Sequence, residues 1–182
     1  MNIFALGSID YFSVGGLPFI LLAAWGIWVF QPVITLFHEW GHALVAYLLT
    51  EDEIRITVGE RGKNSGLKPI KIGKRFSCRL HFNNARVGST EFVAAGKWQR
   101  LFILLGGPLI SAGITLCSMK LLFFEAQNLW VEVFLISWFC GNFLTLLRSV
   151  IPMRLRPTQA FPQGSPSDGL QIIQLLISLR RS

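Results

Sequence analysis

The sequence predicts a membrane α-helical protein with three transmembrane helices, a small β-sheet insertion on the cytoplasmic side and a short C-terminal helix. Three observations predict it. Residues 11–50 carry one charged side chain, Glu39, where a bilayer span needs about 20 predominantly apolar residues and a soluble core helix rarely stays apolar so long. Two further apolar runs follow, and within lipid their backbone must be helical, because an unpaired amide there costs several kcal/mol. Finally, 11 of the 17 Lys and Arg residues fall between 51 and 100, and basic loops stay on the cytoplasmic side.

The elements follow in order along a single domain, residues 1–182. The first span covers about 14–49, longer than the hydrocarbon thickness of about 30 Å requires. It reads as one long helix kinked near Gln31-Pro32, with two spans as the alternative. No Lys or Arg precedes it and the run exceeds the about 7–15 residues of a signal-peptide core, so it is expected to be retained. The β-rich loop 51–97 changes character: Glu-Ile-Arg-Ile-Thr-Val (53–58) and Phe-Ser-Cys-Arg-Leu-His-Phe (76–82) alternate, with a Gly-Lys-Asn-Ser-Gly turn cluster between them, which predicts a small antiparallel sheet at the cytoplasmic leaflet. The second and third spans are expected at 99–124 and 129–150, an irregular Pro-rich loop at 152–167, and a final helix from Asp168 to Leu179 that is too short to cross.

The charge pattern gives a topology. The N-terminus is expected outside, the 51–100 loop inside, the 124–132 connection, with Glu125 and Glu132, outside, and the C-terminus inside. The net charge of +7 is thereby explained by a lipid bilayer rather than by nucleic acid, with attraction to anionic headgroups as a by-product. Cys78, Cys117 and Cys140 have no paired spacing and read as small core residues.

The chemistry concentrates in Phe37-His38-Glu39-Trp40-Gly41-His42. Helix positions four apart share a face, so His38 and His42 can reach one zinc ion, and Glu39 between them is placed to act as a general base. The alternative is a pair of histidines hydrogen-bonded within the bundle. Ionisable groups inside a membrane are costly and usually functional, and two of the three histidines in the chain fall in this motif. Zinc needs a third protein ligand and an open position. His81 is one candidate, though its alternating strand suggests a surface or interface histidine. Asp168 is preferred: it is the only acid after Glu132 and lies on the expected side of the membrane. The competing role for Asp168 is a helix N-terminal acid favoured by the helix dipole. Gly106-Gly107-Pro108, with Ala112 and Gly113, suggests a close helix-packing seam. Ser111, Asn142 and Ser149 are the polar groups available to orient the histidines.

These motifs together resemble the site-2 protease family of intramembrane zinc metalloproteases: Phe37-His38-Glu39-Trp40-Gly41-His42-Ala43 in the first span, a β-rich loop, Gly107-Pro108-Leu109 in the second span, Ile151-Pro152 closing the third, and Asp168-Gly169 last. The resemblance implies that His38, His42 and Asp168 bind one Zn²⁺ per chain and that Glu39 is the general base of a zinc metalloendopeptidase. It also implies cleavage of a membrane-embedded or membrane-associated peptide or protein. The chain departs from the family at Ser111 and Ser149, where asparagines are common, in the long 153–167 spacer, and at Leu170, where a second glycine is usual. A non-catalytic zinc-binding membrane scaffold is the alternative function, and a metal transporter is disfavoured because the spans hold almost no acids besides Glu39 and Glu132.

Overall fold

A computed structural model describes residues 14–59, 69–81, 87–93, 96–124, 128–157 and 162–180. The 62–66 turn cluster, Phe82, Glu125 and the residues before 14 lie outside the described residues. Three long helices, α1 (Leu17–Leu49), α2 (Lys97–Phe124) and α3 (Leu129–Val150), are each long and apolar enough to cross a membrane. A short 3₁₀ turn at Val14–Gly16 precedes α1, and α4 (Asp168–Arg180) closes the chain. Between α1 and α2 lie β1 (Ile54–Val58), β2 (Ile70–Ile72), β3 (Phe76–Leu80) and β4 (Gly88–Glu91).

Residues 17–49 form one helix with Pro32 inside it, so the two-span alternative does not apply. The packing of the three helices is inverted relative to a water-soluble bundle. Their buried residues are mostly small or polar, among them Gly26, Ala43, Ala46, Gly107, Ser111 and Gly141. Large apolar side chains such as Leu21, Trp25, Trp28, Leu109, Leu116 and Phe134 point outward. The small residues are where the backbones meet. A Cβ on Gly41 would strike the Gly106 carbonyl and one on Gly106 would strike that of Gly41, while Gly26 and Gly141 seat α3 side by side with α1 through Ser137 and Ile34. The expected seam thus includes Gly106 and Gly107; around Gly113 the space is open.

The sheet is mixed, which corrects the antiparallel expectation. The strand order is β2-β3-β1-β4; β1 pairs parallel with β3 and antiparallel with β4, and β2 pairs antiparallel with β3. The reason is an unforeseen strand. The chain does not turn directly from β1 into β3 but makes β2 first, and the β2–β3 hairpin, with Gly73 at φ 70°, brings β3 back alongside β1 in the same direction. β2, Ile70-Lys71-Ile72, has all three residues exposed and is too short for its alternation to mark a strand. Ile54, Ile56, Val58 and Cys78 bury against Ala43 and Ala46 of α1 and Ile103 of α2, which fixes the sheet on the C-terminal half of α1. Burial pushes the Cys78 thiol pKa up.

The same end of the bundle is tied together by polar contacts. Arg75 donates to the Thr50 carbonyl and stacks 4.7 Å over the Tyr47 ring, and Gln99 donates to the Leu49 carbonyl (3.1 Å). Both satisfy carbonyls that the end of α1 leaves without intrahelical partners. Lys97 Nζ reaches the Ser178 carbonyl at 3.1 Å, holding α4 to the start of α2.

Residues 152–167, expected to be irregular, contain a short paired ribbon. Leu155 N–H donates to Ser165 O (2.8 Å) and Ser167 N–H to Met153 O (2.9 Å), around an Arg154–Pro166 bridge. That pairing brings the chain back to the end of α3. A Cβ on Gly169 would strike the Val150 carbonyl, so the first turn of α4 abuts the last residues of α3.

Candidate metal centre

His38 and His42 project from one face of α1 toward α2 and α4, as four-residue spacing requires. Their outer nitrogens are held from α2. His42 Nδ1 lies 2.7 Å from the Ile103 carbonyl and His38 Nδ1 lies 2.9 Å from Ser111 Oγ. A backbone carbonyl only accepts, so the proton of a neutral His42 sits on Nδ1 and its Nε2 presents a lone pair. Both Nε2 atoms turn inward, 3.3 Å apart. The Asp168 Oδ2 stands 3.0 Å from His38 Nε2 and 3.5 Å from His42 Nε2.

These three separations fit a metal. Ligand atoms at the usual Zn–N and Zn–O lengths of about 2.0–2.1 Å, set tetrahedrally, stand about 3.3 Å from one another. His38, His42 and Asp168 are all buried or half-buried and form the one group of three candidate ligands found among the described residues. Two imidazole nitrogens and a carboxylate oxygen converging in a poorly solvated site could hold a cation between them. Burial pushes the Asp168 carboxyl pKa up, but the proximity of His38 (3.0 Å) and His42 (3.5 Å) outweighs it and holds the carboxyl well below the usual carboxylate range.

The N-cap hydrogen bond of α4 comes from its neighbour Ser167, while Asp168 remains the acid of the first turn. Ser167 Oγ accepts from the Leu170 N–H (3.2 Å) and from the Met153 N–H (3.2 Å), and donates to the Ile151 carbonyl (2.7 Å). That leaves the Asp168 carboxylate to face the histidines. His81, expected at the surface or an interface, is buried at 3 % exposure at the end of β3, outside the ligand group, and neither ring nitrogen has a partner among the described residues.

Glu39 is buried, with Oε2 accepting from Thr90 Oγ1 at 2.7 Å. A Cβ on Gly88 would collide with its Oε1, so β4 lies directly against this carboxylate. Gly107 plays the same part opposite the histidines, where a side chain would overlap His42 Nε2. Thr90, Gly88 and the Ile103 carbonyl were not foreseen, since nothing local marks a contact between residues 51 positions apart. Ser167 could have been found, because a serine directly before an apolar helix is a favoured N-cap. Of the three polar groups available to orient the histidines, Ser111 does so. Asn142 Nδ2 bonds its own helix at the Trp138 carbonyl (2.8 Å), and the buried Ser149 hydroxyl has no partner among the described residues.

His38, Glu39, His42 and Asp168 all open onto one cavity of about 340 Å³. Its walls are α1, the edge strand β4, Leu104 of α2, the C-terminal turns of α3, and residues 155–156 and 165–168. No family model, no curated protein and no solved structure matches this chain.

Proposed function

We propose that the chain is an intramembrane zinc metalloprotease that hydrolyses a peptide bond in a membrane-embedded or membrane-associated substrate. The observation that carries the reading is the ligand triangle of His38, His42 and Asp168 sharing one cavity with the carboxylate of Glu39. The inverted packing of α1–α3 supports insertion in a bilayer, because a contiguous apolar exterior of this extent is foreign to water-soluble monomers. The clustering of basic residues in 51–100 supports a cytoplasmic position for the sheet, the centre and α4.

His38, His42 and Asp168 would hold the ion, with Ser111 and the Ile103 carbonyl keeping the imidazoles in the binding orientation. When bound, zinc supplies Lewis-acid polarisation of a carbonyl and lowers the pKa of a coordinated water to about 7. Glu39, aimed by Thr90 and given room by Gly88, accepts the proton of the attacking water and returns it to the leaving amine. The substrate is held extended against β4, whose second edge has no strand partner among the described residues and borders the cavity. Gly88–Glu91 is the edge chosen because β4 lines the cavity and the other outer strand, β2, does not.

The reading is tested by reconstituting the full chain with zinc in vesicles and following cleavage of single-span reporter proteins. Cleavage by the wild type that Glu39→Gln abolishes while zinc stays bound supports a protease. Equal behaviour of wild type and Glu39→Gln contradicts it and favours a zinc-binding scaffold.

A further inference from the structure

The first span carries a polar side chain that neither the metal centre nor the proton transfer uses. Gln31 is the only Gln, Asn, Ser, Thr or charged residue in 17–34, and it stands seven residues before His38 on α1. Its carboxamide and the buried Thr35 line the cavity from α1, and Thr145 lines it from α3. The cavity therefore reaches beyond the metal centre, back along α1 between two of the long helices. A polar group in such a setting is costly unless it is well bonded. Gln31 is poorly bonded: Nε2 donates to Thr35 Oγ1 at 3.4 Å, the one hydrogen bond of this carboxamide among the described residues, and the usual range is about 2.7–3.2 Å. Thr145 donates its own proton to the Gly141 carbonyl (2.9 Å), which leaves its oxygen as an acceptor.

We infer that Gln31, with Thr35 and Thr145, binds the backbone of the substrate segment that stays in the membrane beside the scissile bond. The inference rests on the protease reading above. A segment paired with β4 is extended, and unwinding a membrane helix frees N–H and C=O groups that lipid cannot satisfy. The β4 edge meets those groups at one wall of the cavity, and further along α1 the lining offers Gln31, Thr35 and Thr145. A primary amide carries both donors and an acceptor, so it can pair with a peptide unit at its N–H and its C=O. The seven residues from Gln31 to His38 span about 10 Å of helix axis, which an extended chain covers in about three residues. The contact accordingly falls about three residues from the cleaved bond, on its membrane-embedded flank. A water path is the disfavoured role, because residues 17–30 offer no charged, amide or hydroxyl side chain and the polar lining ends at Gln31.

The test uses the zinc-loaded full chain in vesicles and a synthetic single-span peptide whose cut site is first mapped by mass spectrometry. Backbone amides on its membrane-embedded flank are then replaced one at a time by esters, which removes the N–H and keeps the side chain. The expected result is a loss in kcat/KM of about tenfold for Gln31→Leu and a loss in the same direction for Thr145→Val, with zinc per chain unchanged in both. An ester about three residues from the cut costs the wild type a similar factor and costs Gln31→Leu nothing further, because two changes to one contact do not add. Truncated peptides that end short of that position are cleaved equally by wild type and Gln31→Leu. Glu39-dependent cleavage of the full span that Gln31→Leu leaves unchanged overturns the inference and leaves the protease reading standing. So does an equal loss on the truncated peptides, which assigns this arm of the cavity to water supply or to the fold, and so does an ester effect that adds in full to Gln31→Leu. Absence of any Glu39-dependent cleavage overturns both.

Discussion

Asp168 begins α4, where an acid commonly serves the helix terminus, yet the Ser167 hydroxyl takes the Leu170 N–H and the Asp168 carboxylate turns to His38 at 3.0 Å. The two side chains therefore make separable predictions. Ser167→Ala should destabilise the fold by about 1 kcal/mol and loosen the zinc site, since the hydroxyl also pins Met153 and Ile151; thermal unfolding with and without zinc would show it. Ser111→Ala removes the partner of His38 Nδ1 and should weaken zinc binding about 10–100-fold, read by competition with a chromogenic chelator. Glu39→Gln should lower kcat by about 10² or more with zinc content unchanged. His38, Glu39 and His42 were legible because helical spacing is a local property. Asp168 lies 130 positions from His38 and could be reached only by elimination among the few acids, while Thr90 and the Ile103 carbonyl carry no local mark at all.

Among the elements, α1 and α2 cross where Gly41 meets Gly106, with both histidines beside the crossing. Gly41→Ala has backbone rather than a yielding side chain in its way, so it should cost about 1–3 kcal/mol and widen the ligand triangle; lowered thermal stability together with weaker zinc binding is the expected pair of results. β4 has a double duty, fixing Glu39 through Thr90 and presenting an open edge to the cavity. Ser89 pairs with Thr57, so Ser89→Pro should break the β1–β4 ladder and lower both thermal stability and Glu39-dependent cleavage while leaving the three candidate ligands in place. The three long helices and α4 were visible in hydropathy and length. The sheet was visible only in part, because β1 and β3 alternate whereas β2 and β4 are three and four residues long with no buried face. The parallel pairing of β1 with β3 depends on counting the strand between them, and that strand was the missing one.

For the whole molecule, α4, the sheet and the ends of α1 and α3 gather at one end of the three long helices. The ribbon at 153–167 explains how a long spacer still delivers Asp168 to the centre: pairing through Leu155–Ser165 and Met153–Ser167 shortens the path. Under the topology proposed above, this end faces the cytoplasm. Cysteines introduced at the exposed Lys74 and Asn128 should accordingly react with a membrane-impermeant maleimide from opposite sides, Lys74→Cys from within. The central claim is that three residues from two ends of the chain hold one zinc ion, and zinc content of gently purified protein tests it most directly, wild type beside Asp168→Ala, His38→Ala and Glu39→Gln. About one zinc per chain in the wild type and Glu39→Gln, lost in both ligand variants, is the predicted result. No zinc in the wild type, or full retention in Asp168→Ala, would contradict it.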